Sequence, residues 1–114
     1  MEKDRNKTLC NKALTRQYRE TVVKRIANDS KFAKALFAEA LNALLDGETD
    51  EALLMLRDLV HAKITFRDLA KQTGFDEKSL YRMLSRQGNP TTRNLFQVIK
   101  VIQHDLKLTP RVAA

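Results

Sequence analysis

Glycine, proline and cysteine are scarce in this chain of 114 residues, with three, two and one copies respectively. The single cysteine, Cys10, excludes an intrachain disulfide and suits a reducing compartment. It lies in a polar stretch, where a bystander thiol is the expected reading rather than a reactive one. So few glycines and prolines cannot punctuate the many turns that a multi-stranded protein needs. No apolar run approaches the roughly 20 residues of a membrane span. The N-terminus has no apolar segment of the signal-peptide kind, so a cytoplasmic protein is expected. His61 and His104 have no metal-ligand spacing with each other or with Cys10, so no metal site is expected. A phosphate-cradling glycine loop and a nucleophile motif are also missing, and neither a cofactor nor an enzymatic activity is expected.

The chain does contain 43% hydrophobic residues, enough for a modest core, in long stretches rich in Ala, Leu, Lys, Arg and Glu. The implied fold class is all-α, with five to six short helices. The formal net charge is +7 and the pI about 9.8. A basic balance favours a polyanionic partner, because each phosphate neutralised releases a condensed counterion. The placement of the charge is more informative than its total. Residues Thr49 to Glu77 carry four Lys/Arg against six Asp/Glu, whereas Lys78 to Ala114 carry seven against the single acid Asp105.

Four regions follow from the pattern. Residues 1–17 are polar with no apolar period and form a flexible basic arm. Its Lys3, Arg5, Lys7, Lys12 and Arg16 either touch DNA or a toxin-like partner, or belong to a frayed terminus. Residues 18–47 form an N-terminal helical extension. Its first helix, Arg19 to Asn28, places Val22, Val23 and Ile26 on one face. Its second runs from Lys31 to about Asp46, capped by Ser30 and stopped at Gly47. Residues 48–106 form a helix-turn-helix domain, and 107–114 a tail. Within that domain Thr49 is expected to cap a helix reaching His61, with Asp50 and Glu51 in its first turn. Thr65, with Asp68 three residues on, starts a short helix from Phe66 to Gln72. Asp76 caps another from Glu77 to Ser85, and Thr91 caps a last one carrying Leu95, Val98, Ile99 and Ile102.

The two short helices form the motif that carries function. Leu69 supplies an apolar contact, and Ala70 is small enough for the helices to cross closely. Gly74 takes the positive φ that the turn favours. Phe75 plugs the angle, and Leu80 and Met83, with Leu84, face inward. Geometry then turns Glu77, Lys78, Tyr81, Arg82 and Ser85 outward, with Asp76 at the entry and Arg86 just past the end. Such a helix fits the major groove of double-stranded DNA. Arg82 can fork onto a guanine, Lys78 reach a base or a phosphate, Tyr81 a thymine methyl or a phosphate, and Glu77 a cytosine amine. The competing description is an ordinary solvated helix surface.

Leu69-Ala70-Lys71-Gln72-Thr73-Gly74, Lys78-Ser79-Leu80-Tyr81-Arg82-Met83-Leu84-Ser85 and Gly88-Asn89-Pro90-Thr91 resemble the lambda-repressor/Cro-like (Xre-type) helix-turn-helix. More narrowly, the chain is similar to addiction-module antidote proteins, the antitoxins paired with RelE/HigB-like toxins, over roughly Tyr18 to Leu106. Phe75-Asp76-Glu77 departs from the entry usual in that family. The resemblance implies an autorepressor of a toxin–antitoxin operon, with base reading by the Glu77 helix. It also implies phosphate contacts from Thr91, Thr92 and Arg93, joined by Thr65 or Arg67; the free amides and dipole at such a helix start suit an anion.

A homodimer on paired half-sites is expected, since one short reading helix buries little surface. The helix from Lys31 to Asp46 carries apolar residues over more of its circumference than one neighbour can cover. It is therefore half of a dimer seam, covered within the chain, or covered by a toxin. The alternative to a DNA reader is a helical module that binds a toxin or other partner through its first helices.

Overall fold

The structure, a computed structural model, describes residues 18–108. The basic arm with Cys10, and the tail beyond residue 108, lie outside the described residues. Among the described residues the fold is all-α. Six helices are seen: α1 (18–28), α2 (Ser30–Leu45), α3 (Thr49–Leu59), α4 (Phe66–Thr73), α5 (Glu77–Met83) and α6 (Thr92–Asp105). No described helix is long and apolar enough to cross a membrane.

Local chemistry accounts for most helix ends, with some shifts from the expected residues. The cap of α2 is Asp29, not Ser30: its carboxylate accepts from the Phe32 N–H at 3.1 Å, and Ser30 is already helical. Two adjacent residues could each cap, and the charged one is the stronger acceptor for a helix start. Thr49 is likewise the first helical residue of α3. The cap position falls on Glu48, which makes no side-chain capping bond. The acids of the first turn, Asp50 and Glu51, still complement the dipole. At the other end α3 stops at Leu59 rather than His61. It opens into a π turn over Val60–Ile64, closed by the Thr65 N–H donating to the Val60 carbonyl at 2.7 Å. The helix α5 ends at Met83, short of Ser85, and α4 extends to Thr73.

One core runs through the described chain. Ile26, Ala33, Phe37 and Ala40 from α1 and α2 join Leu53, Leu56 and Leu59 from α3. Leu69, Leu80, Leu84, Val98, Ile99 and Ile102 complete it from the later helices. Helices α1 and α2 and the later helices thus bury their apolar faces against each other. The small buried residues Ala33, Ala40 and Ala43 are all on α2, which packs closely on α3. Leu36, Leu41 and Leu44 are half-buried, while Leu45 is 85% exposed. The apolar excess of α2 is therefore covered in part within the chain.

Candidate nucleic-acid interface

The joint between α4 and α5 is built from short-range bonds. Gly74 has φ +82, the left-handed conformation at which a side chain is strained, and its N–H donates to the Ala70 carbonyl at 2.9 Å. Thr73 organises the rest of the turn: its hydroxyl donates to the Leu69 carbonyl at 2.8 Å and accepts from the Phe75 N–H at 3.3 Å. Phe75 is half-buried against the core. Asp76 then caps α5, accepting from the Ser79 N–H at 2.6 Å. That bond from Ser79 holds the Asp76 carboxyl below its ordinary range.

Leu80 and Leu84 are fully buried and Met83 is half-buried, so the inward face is as the spacing requires. Glu77, Lys78, Arg82 and Arg86 are exposed, and Ser85 donates to the Arg82 carbonyl at 2.8 Å. Tyr81 is only 38% exposed. Its ring stacks on Phe66, centroids 3.9 Å apart and planes 13° from parallel. His61 meets Phe66 edge-on at 5.0 Å, and the Arg57 guanidinium stands 5.7 Å from the Tyr81 ring centre. The outer face of α5 is thereby locked to α3 and the π turn. Behind this cluster Arg19 of α1 grips Asp58, 9% exposed, with N–O distances of 2.6 and 2.8 Å. Burial raises the Asp58 pKa from its ordinary 3.8, and Arg19 opposes that rise. Burial, then the neighbouring Arg57, lowers the His61 pKa from 6.5. Sequence reading missed Arg57, Asp58, His61 and Phe66 as parts of the site. Asp58 and Arg19 lie 39 positions apart, and only the fold brings them together.

Two helix starts flank α5. At α4 the Thr65 hydroxyl accepts from the Asp68 N–H at 3.3 Å, and Thr65 itself has φ +77. Arg67 beside it is exposed. At α6 the Thr91 hydroxyl accepts from the Asn94 N–H at 3.2 Å. Thr92 and Arg93 are exposed there, and the first turn carries no acid. The loop from α5 to α6 passes close under the end of α5. A Cβ on Gly88 would collide with the Met83 carbonyl oxygen and lie 2.8 Å from that of Arg82. No cluster of three metal-ligating side chains occurs among the described residues. In comparison with known proteins, the family described as "Probable addiction module antidote protein" matches residues 26–110. No curated protein and no solved structure matches the chain.

Proposed function

The chain belongs to the addiction-module antidote family, so it is an antitoxin with a toxin for a partner, and from that premise we propose that it also represses its own operon by binding DNA. The observation that carries this reading is the α4–turn–α5 unit. A left-handed Gly74 and a capping Asp76 support an outward face of Lys78, Tyr81 and Arg82, flanked by the unencumbered N-terminus of α6. The unit has the form of an Xre-type helix-turn-helix. Its α5 enters the major groove, with Arg82 and Lys78 at base edges and Glu77, Ser85 and Arg86 at the margins. The carboxylate of Asp76 serves the cap, and the stacked ring of Tyr81 leaves its hydroxyl as the contacting atom. Thr91, Thr92 and Arg93 take one phosphate, Thr65 and Arg67 another. The protein works as a homodimer on paired half-sites, and its toxin is of the RelE/HigB-like kind.

The test is binding to DNA from the chain's own promoter, set against random duplex at equal salt. Arg82→Ala is expected to cost about 1–3 kcal/mol on the promoter and less on random DNA. Equal losses on both would make Arg82 a phosphate contact. Indifference of the wild type to sequence would replace the repressor by a partner-binding helical module.

A further inference from the structure

Away from the α5 face, α2 and α6 enclose a groove of about 420 Å³. Its floor is apolar, from Phe37 and Leu41 of α2 and Phe96 and Ile99 of α6, and Lys100 and His104 stand on its rim. Phe96 is 57% exposed. One helical turn beyond Leu41, about 6 Å along α2 by the ordinary rise of a helix, Leu45 projects with 85% of its surface in solvent. A hole and a knob therefore lie side by side on the same helix.

Charge distinguishes the two. The C-terminal end of α2 is the negative pole of its dipole, with no basic residue in the last turn. Asp46 follows directly, and Glu48 two residues later, both exposed. The knob thus has an acidic collar, and the hole has the Lys100 ammonium on its rim. A surface carrying both halves of a complementary pair at one-turn separation is what a two-fold axis requires, because each copy then receives from the other what it offers.

We propose that the α2–α6 groove is the seam of the homodimer, formed with a second copy of this chain. The α2 helices run antiparallel across a two-fold axis. Leu45 of each enters the groove of the other, beside Phe96, and Asp46 and Glu48 face the other copy's Lys100 and His104. This seam deepens the DNA-reading proposal, which supplies the need for two copies, and uses no residue of α5.

Sedimentation equilibrium of the full chain without DNA, at micromolar concentration, reads the seam alone. A dimer is expected. Leu45→Asp and Phe96→Asp should each raise its dissociation constant about tenfold or more, with the helical circular dichroism of Leu45→Asp unchanged, because within one chain that side chain is in solvent. Glu48→Lys and Lys100→Glu should each weaken the dimer, and their combination should restore it. A wild type monomeric both free and on promoter DNA overturns the proposal, as does self-association undiminished in Leu45→Asp. Loss of the co-expressed toxin from Leu45→Asp with an intact dimer assigns the groove to the toxin and likewise overturns it. A failure of sequence-specific binding leaves these sedimentation results unaffected, so the two readings fail separately.

Discussion

His61 lies where α3, α4 and α5 meet. Its imidazole lies against Phe66 and 5.9 Å from Tyr81, with Arg57 and Asp58 as the charged groups around it. Burial and Arg57 disfavour its protonated form more than Asp58 favours it. Below about pH 6.5 the unfolded chain therefore binds more protons at this position than the folded one. The stability associated with His61 is fully present above 6.5 and is lost as the pH falls through the lower, folded value. The buried Asp58 has the opposite sign: its raised pKa makes stability fall as the pH rises from 3.8 toward its folded value. Thermal unfolding at about pH 7.5 and about pH 5.5 should show a drop in the wild type and a smaller drop in His61→Gln. Parallel behaviour of the two would remove His61 as the source.

Among the helices, α5 is the most exposed to error, since its seven residues are too few to hold a helix without tertiary support. Leu80 is fully buried beneath it, so Leu80→Ala should cost about 2–5 kcal/mol in denaturant unfolding. Gly88→Ala should cost about 1–3 kcal/mol by overpacking, because the loop must lift off the Met83 and Arg82 carbonyls. A wild-type midpoint for Gly88→Ala would mean that the loop yields freely. These helices also mark how much was legible beforehand. Thr65, Asp76 and Thr91 were readable as caps because each bonds the amide three residues on, a purely local event. Asp29 was not, because Ser30 beside it could equally serve as a cap, and at α3 the cap position falls on Glu48, whose side chain makes no capping bond. The inward face of α5 followed from spacing alone. The stacking of Tyr81 on Phe66 did not, since it depends on how α4 and α5 cross. The π turn left no trace in the apolar pattern, which continues smoothly from Leu59 and Val60 to Ile64.

The molecule groups Asp46, Glu48, Asp50 and Glu51 around the α2–α3 turn, whereas Lys78 to Ala114 carries seven Lys/Arg against the single acid Asp105. On the proposed DNA-binding reading, this asymmetry orients association with a duplex before contact and makes it weaken as salt rises. Arg93→Ala should lower the slope of log affinity against log salt by about one, alike on promoter and random DNA. A loss confined to the promoter would make Arg93 a reader of bases. The π turn at Val60–Ile64 has a consequence of another kind. It accommodates one residue more than an α turn, and each residue of a helix rotates its successors by about 100°. Removing a single residue there, whichever it is, would swing α4 and α5 out of alignment with α3 and part Tyr81 from Arg57. Relatives of this chain should therefore keep the length of 60–64 constant, with apolar residues at positions 60 and 64, which lie in the core.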